Sequence, residues 1–249
     1  MAEEAAAQRA PAVEPAENGA PVQLALPGME PLTHQQVVEK LDVVPVFHIV
    51  GGTDRMMVPT PTSGGGPACG TWFFAFEDAQ RALEATRASN PSLPLAIEAS
   101  PLGTAFALSE GWSPSLVPEG AHLRLQCSSR VLASMPEPPQ PLPEALSNRF
   151  NPLTSCLPTF AVDGDFRTPH GATPVCFDVQ TLAATWERES GRPPSEMPGV
   201  RVVDLRMLLA TMLTQAQDWR GVAFTAAPKV LQHARLLNVA TGDEPPPLL

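Results

Sequence analysis

Glycine spacing near the middle of the first half resembles that of a phosphate-binding loop. Gly65 and Gly70 have four residues between them, and Thr71 follows. Such a loop needs a lysine before the threonine, which reaches the phosphates, and it must open a helix. No lysine precedes Thr71, and these glycines join two predicted strands of a hairpin. The spacing therefore does not predict a nucleotide site.

Residues that could bind a metal are present, but their spacing matches no known metal-binding motif. Asp163 and Asp165 flank Gly164, yet the other ligands of a calcium loop are missing, and this triplet is typical of a hairpin turn. None of the five histidines lies four residues from another His, Glu or Cys in a predicted helix. We expect no metal and no other cofactor.

Nucleophiles for covalent catalysis have no supporting motif. The four cysteines are separated by 58, 29 and 20 positions, which fits no Cys-x-x-Cys pattern. We expect free thiols, and a Cys156 to Cys176 bridge stays open for an oxidising compartment. No Gly-x-Ser-x-Gly elbow and no clear pair of carboxylates at strand ends is found. The sequence predicts a protein that is not an enzyme.

Composition and charge limit the partners. Sixteen basic and 26 acidic residues give a net charge of −10, and only Lys40 and Lys229 are lysines. Binding to nucleic acid or anionic lipid through charge needs a basic surface, which no run of residues supplies, so no nucleic-acid partner is expected, while peripheral association with a membrane stays open. No apolar stretch approaches the roughly 20 residues that cross a bilayer. A hydrophobic share of 43% can fill a sizeable core. We expect a soluble folded protein.

Proline-rich segments divide the 249 residues into five parts. The first is rich in Ala, Glu and Pro and lacks large apolar groups, so we expect disorder, and its acidic residues do not suit a transit peptide. The fourth part repeats the pattern of the second. The predicted parts are a disordered arm (1–30), a first α/β repeat (31–135), an extended Pro-rich linker (136–156), a second α/β repeat (157–238) and a disordered tail (239–249).

Local patterns predict the elements of the first repeat. Thr33 and Gln36 form a capping box before an apolar face, which predicts a helix from about His34 to Leu41. Apolar runs and stop signals give the rest. The further predicted elements are strands 44–50 and 71–76, a helix to about residue 88 from Glu77, a strand 95–99, a helix 102–108, a strand 123–127 and a helical turn 130–135.

An internal duplication accounts for the second repeat. The offsets between matching segments change only at loops, and the Gly64 to Gly66 tract explains most of the first change. The matches are Val44-Pro-Val-Phe47 with Leu157-Pro-Thr-Phe160 at an offset of 113, Trp72-Phe-Phe74 with Val175-Cys-Phe177 at 103, and Arg130-Val-Leu132 with Lys229-Val-Leu231 at 99. The predicted fold class is α/β, with two similar halves related by a pseudo-two-fold axis, mixed sheets with flanking helices, and a groove where the halves meet.

Aromatic residues are concentrated on the predicted strands and on the helices that pack against them. Trp72-Phe-Phe74 places aromatic side chains on both faces of one strand. Such residues form a core, or their second face lines an exposed apolar groove for a peptide. The candidates for that groove are Trp72, Phe74, Phe177 and Trp186.

The succession of these motifs resembles a known family. From Leu32 to about Leu237 the chain is similar to the twenty-two-kilodalton subunit of the chloroplast inner-envelope import translocon. Gln180-Thr181 departs from the acidic pair that this family tends to have. The motifs that carry the resemblance are Val44-Pro-Val-Phe47, Phe73-Phe-Ala-Phe-Glu-Asp78, Leu157-Pro-Thr-Phe160, Pro174-Val-Cys-Phe177 and Val202-Val-Asp-Leu205.

The resemblance implies a function in chloroplast protein import. It implies a soluble plastid protein of the envelope intermembrane space, peripherally associated with the translocons, that escorts unfolded precursor proteins in a chaperone-like way without nucleotide. Its partners would be precursors with their transit peptides and subunits of the translocons. The alternative is a structural or docking subunit of a large plastid assembly, in which the Pro-rich segments thread along neighbouring subunits.

Overall fold

A computed structural model describes residues 29–61, 68–113, 122–135, 137 and 140–241. The Gly64 to Gly66 tract and most of the predicted arm (1–30) and tail (239–249) lie outside these residues. The elements, in chain order, are α1 (His34–Leu41), β1 (Pro45–Gly51), β2 (Met56–Met57), β3 (Gly70–Phe73), α2 (Phe76–Ser89), β4 (Leu95–Pro101), α3 (Leu102–Ser109), β5 (Leu123–Gln126), α4 (Ser129–Ser134), α5 (Glu144–Ser147), β6 (Pro158–Val162), β7 (Thr173–Cys176), α6 (Val179–Ser190), β8 (Val200–Asp204), α7 (Leu205–Thr214), β9 (Val222–Thr225) and α8 (Pro228–Thr241).

Two mixed sheets have the same strand order and directions. In the first, β1 is antiparallel to β4 on one side and to β3 on the other, and β3 is parallel to β5. In the second, β6 is antiparallel to β8 and β7, and β7 is parallel to β9. The short β2, beside the end of β1, is an addition of the first sheet. The predicted fold of two similar α/β halves is confirmed.

The first helix begins where its capping residues predict. Thr33 Oγ1 accepts a hydrogen bond from the Gln36 backbone N–H, and the Gln36 side chain accepts one from the Thr33 N–H. Val37 and Leu41 are buried and turn towards α3 and α7, which belong to different halves. Capping thus fixes the start of a helix whose apolar face joins the two repeats.

One central hydrophobic cluster is shared by both halves. It contains Trp72 and Phe106 from the first half together with Val175, Leu209 and Phe224 from the second. Each sheet also has a cluster on its outer face, one around Phe47 and Ile49 and the other around Phe160 and Val162. Helix α2 covers the first outer cluster through Ala79 and Leu83, and α6 covers the second through Leu182 and Trp186. The repeats are therefore packed into one body.

The last helix of each repeat packs on the outer cluster of the other repeat. Val131 of α4 and Met135 just after it contact the second outer cluster. Val230 and Ala234 of α8 contact the first outer cluster. This reciprocal exchange is the contact pattern of two halves related by an approximate two-fold axis.

The segment 136–156 is not extended throughout. Glu144–Ser147 forms the helical turn α5, which begins after Pro143. Leu142, Leu146 and Phe150, spaced four residues apart, pack into or against the central cluster. The prediction of an extended linker is wrong for this part, because apolar residues at helical spacing gain more from burial than the neighbouring prolines cost. The boundaries of the two repeats stay a prediction.

Candidate functional site

Three of the four aromatic candidates meet in the central cluster. Trp72 and Phe74 are buried there, and Phe177 is half-buried against it. The Phe74 and Phe177 ring centroids are 5.0 Å apart, and the Phe177 and Phe224 centroids are 6.1 Å apart in a stacked arrangement. These rings join the two sheets at the middle of the molecule.

Trp186 lies apart from the other three. It belongs to the second outer cluster, where its ring centroid is 4.8 Å from that of Phe166. Its indole N–H donates to the Pro193 carbonyl oxygen over 3.3 Å. Packing in the interior, one of the two interpretations of these aromatic residues, accounts for the positions of Trp72, Phe74 and Trp186. Contact between a peptide and any of the four stays a prediction.

The exchanged helices are held at the N-termini of α2 and α6 by polar contacts. The buried Asp78 carboxylate accepts hydrogen bonds from the Ser129 backbone N–H at 2.8 Å and its hydroxyl at 2.7 Å, which ties α2 to the start of α4. The Lys229 ammonium of α8 contacts Glu77 of α2. These contacts place negative charge at the start of α2, where the helix dipole favours it.

The same junction exists in the second repeat with a weaker pair. Arg130 Nη2 of α4 donates to Gln180 Oε1 of α6 over 3.5 Å. Gln180 corresponds to Glu77 at the offset of 103, and Arg130 corresponds to Lys229 at the offset of 99. Where the first repeat has an ion pair, the second therefore has a long hydrogen bond to a neutral amide.

A half-buried carboxylate lies where the connecting segment crosses between the halves. Glu110, at the end of α3, accepts a hydrogen bond from the Asn151 backbone N–H at 2.7 Å. The Asn151 amide in turn donates to the carbonyl oxygens of Ser109 and Leu123. The other carboxylate oxygen of Glu110 is buried without a hydrogen-bond partner. Burial, opposed by Asn151 and the Arg206 charge, raises the pKa of Glu110 to about 7.

Asp204 holds the same segment from the second half. It caps α7 by accepting from the Arg206 backbone N–H at 2.9 Å, and it accepts from the Leu157 N–H at 3.4 Å. The Arg206 guanidinium forms an ion pair with Asp204 and donates to the Thr154 carbonyl oxygen at 3.0 Å. The Asp204 carboxylate is therefore paired with a guanidinium and hydrogen-bonded to two backbone N–H groups, which offsets the cost of burying its charge.

Pairing of β1 with β4 brings a hydroxyl, an imidazole and a carboxylate together. His48 Nδ1 is 3.3 Å from Ser100 Oγ, and His48 Nε2 is 4.0 Å from Glu98 Oε2. The second distance exceeds hydrogen-bond reach, and Arg55 holds the Glu98 carboxylate. Burial lowers the pKa of His48, which keeps the ring neutral at pH 7. The group lacks the carboxylate-to-imidazole hydrogen bond of a catalytic triad.

The cysteines and acidic residues form no metal centre in the described ranges. No group of three His, Cys, Asp or Glu residues there could hold a metal ion. Cys156 and Cys176 are not bridged, since Cys176 lies in the second outer cluster and Cys156 interacts with Asp204. Burial raises the pKa of Cys176 to about 12 and that of Cys156 to about 11, so both thiols stay protonated at neutral pH. In the part of the chain that the structure covers, no helix is both long enough and apolar enough to cross a bilayer.

Two solved structures resemble this architecture over most of its length. Tic22 from Plasmodium falciparum superposes with a TM-score of 0.57 at 16% identity, covering 84% of this chain and 99% of that one. Anabaena Tic22, described with protein transport, gives 0.58 at 17% identity, covering 86% of this chain and 100% of that one. The chain has the Tic22 fold.

The Tic22 fold agrees with the resemblance drawn from the sequence motifs. No family model and no curated protein matches the sequence. At 16% and 17% identity the likeness concerns backbone architecture, which the order of motifs in the two repeats predicts. The Tic22 structures are covered almost completely, so the whole of their fold is present here.

Proposed function

We propose that this chain is a non-enzymatic, chaperone-like carrier of unfolded precursor proteins in chloroplast protein import. The observation that supports the proposal is the coverage of two Tic22 structures over almost their full length, one of them described with protein transport. The sequence motifs independently resemble the same translocon subunit family. A fold alone does not specify a function, so the proposal needs a direct test.

The proposed location is the intermembrane space of the plastid envelope, in peripheral association with the translocons. A net charge of −10 suits this task, because basic transit peptides are attracted to an acidic surface within about 10 Å at moderate salt. Electrostatic attraction of this kind speeds encounter and adds selectivity more than it adds affinity. The acidic surface therefore favours capture of targeting peptides over membrane adhesion.

Binding by such a carrier is weak and reversible. Apolar burial supplies affinity at about 25 cal/mol per Å², and the ordering of an unfolded segment offsets much of it. Fast dissociation then releases the precursor without nucleotide hydrolysis. A carrier of this kind works by mass action between successive translocons.

Aggregation of a chemically unfolded precursor tests the proposal. The precursor is diluted from denaturant with and without the full chain, in the absence of nucleotide, and light scattering is followed. We expect suppression at near-stoichiometric amounts, and none with a folded control protein of matched size and charge. Unchanged scattering would contradict the carrier and favour the docking subunit, for which cross-linking would give fixed neighbours in place of many unrelated precursors.

A further inference from the structure

The outer clusters of the two sheets are covered unequally. Helix α8, which covers the first, has 14 residues, whereas α4, its counterpart on the second, has six. Val131 and Met135 correspond to Val230 and Ala234 at the offset of 99, and all four pack on outer clusters. Beyond Met135 the correspondence stops, because Met135 precedes Pro136 and has extended backbone.

Because α4 is shorter than α8, positions that α8 covers on the first half are exposed at their counterparts on the second. Phe76 of α2 packs against His233 of α8 with ring centroids 4.3 Å apart, whereas its counterpart Val179 in α6 is 43% exposed. On the edge strands, Ala99 of β4 packs in the first outer cluster, whereas its counterpart Val202 of β8 is 37% exposed. The two exposed valines lie where α8 covers the first half.

The exposed Val202 and the half-buried Val200 lie on the face of the second sheet that carries the second outer cluster. Val202 lies directly opposite Phe160, and Val200 lies opposite Val162, in the antiparallel pair of β8 and β6. Directly opposite residues share a face, so both valines lie on the side of the sheet that carries Phe160 and Val162. We name Val179, Val200 and Val202 the open face. Val200 packs against the second outer cluster, so the open face borders buried core there.

We infer that the open face binds an amphipathic helix of a partner polypeptide, in the position that α8 occupies on the first half. Helix α8 shows what fits there: its residues Val230, Ala234 and Leu237, spaced by four and three, contact the equivalent face. Helices recognised in grooves present apolar anchors at this spacing. The inference rests on the proposed function for the identity of the partner, a helical segment of a precursor.

A second copy of the chain is a poorer occupant. Its α8 already covers its own first sheet, with Ala234 buried there and Lys229 in contact with Glu77. Release of that helix would uncover the apolar surface of the donor's first sheet, which offsets the gain from covering the acceptor. A partner helix that is free before binding meets no such cost.

The test uses a fluorescein-labelled peptide with the sequence of residues 228–241 and the full chain, with binding followed by anisotropy. We expect saturable binding that Val202→Lys weakens at least tenfold, because the ammonium would face apolar surface. Met56→Lys is the matched control, since Met56 is exposed on the first half at 62%. A peptide with Leu236→Pro, which cannot remain helical there, should not bind.

Several outcomes would overturn the inference. Binding that is absent, or equal in the Val202→Lys and Met56→Lys variants, would mean that the open face does not accept the helix. If the peptide binds only after residues 1–28 are removed, the occupant of the open face is that segment. If sedimentation shows self-association that Val202→Lys abolishes, the occupant is a second copy of the chain. Circular dichroism melts of each variant would show whether it is folded.

Light scattering with the same variants separates this inference from the proposed function. If the Val202→Lys variant suppresses precursor aggregation as well as the wild-type chain does, the proposed carrier function stands, but the open face is not its binding site. If the wild-type chain binds the peptide but does not suppress aggregation, the open face binds helices and the proposed carrier function is wrong.

Discussion

Phe74 and Phe177 occupy equivalent positions in the two repeats, and their ring centroids lie 5.0 Å apart. Two equivalent residues can touch each other only where the axis that relates them passes close by. The approximate two-fold axis therefore runs near these rings. Each ring packs into the cluster that both sheets share, so a single contact connects the two halves at their centre.

Truncating these two rings tests how strongly the halves depend on each other. Phe74→Ala should lower the free energy of unfolding by about 3–5 kcal/mol, and Phe177→Ala by less because Phe177 is half-buried. The double variant should fall short of the sum by about 0.5–1.5 kcal/mol, the range measured for aromatic pairs. Urea unfolding of the four proteins gives the cycle.

Phe166→Ala supplies the control for this cycle. Phe166 packs on Trp186 in the second outer cluster, away from the central one. Its effect should add to that of Phe74→Ala within about 0.5 kcal/mol. If the stability losses of Phe74→Ala and Phe177→Ala simply add in the double variant, the two rings do not couple the halves.

A charge at position 180 should restore the ion pair that the second repeat lacks. Gln180→Glu places a carboxylate opposite Arg130 and within the first turn of α6, where the helix dipole favours negative charge. We expect a gain of about 0.3–1 kcal/mol in the free energy of unfolding, measured by urea denaturation at low salt. In an Arg130→Gln background the gain should shrink to the dipole contribution, and 1 M salt should reduce it further. An equal gain in both backgrounds would contradict the pairing.

Glu110 should make stability fall as pH rises through the weakly acidic range. Its folded pKa, about 7, lies above the ordinary value of 4.5. Below pH 4.5 both folded and unfolded states are protonated. Between 4.5 and 7 the unfolded state loses its proton while the folded state retains it, so the free energy of unfolding declines, and above 7 the decline stops.

The Glu110→Gln variant removes this titration and keeps an oxygen for the Asn151 N–H. Relative to wild type it should gain stability between pH 4.5 and 7, on the order of 2 kcal/mol after allowance for partial exposure. Urea unfolding at several pH values gives this difference, in which titration of the other groups, such as His48, cancels. Parallel pH profiles for the two proteins would show that Glu110 titrates normally.

Local signals in the sequence predict most elements of the fold. The capping box at Thr33 and Gln36 depends on four consecutive residues, so the start of α1 can be predicted from them. The helix also ends at Leu41, as predicted. The strand predicted from Thr71 to Phe76 is shorter in the structure: β3 ends at Phe73 and α2 begins at Phe76, whose ring packs on Phe47. Tertiary contact decides that boundary, and spacing does not encode it. Strand β2 is missed because two residues carry no periodicity.

The polar sites lie beyond what spacing can predict. Glu110 and Asn151 are 41 positions apart, and they meet because the end of α3 and the connecting segment both lie beside the start of β5. His48 and Ser100 meet only through the register of β1 with β4, in which Pro45 lies opposite Pro101. No local pattern in either strand encodes that register. The offsets identify α4 and α8 as counterparts, but they do not tell which sheet each helix covers.

The exchange of α4 and α8 bears on how such a protein could arise. Neither repeat here covers its own sheet with its own last helix, so a one-repeat chain with the same packing would be complete only as a homodimer in which each subunit lends that helix to the other. Joining two such genes removes the requirement that both helices stay identical. In this chain one of the two helices has 14 residues and the other six, so the two sides of a nearly symmetric fold differ.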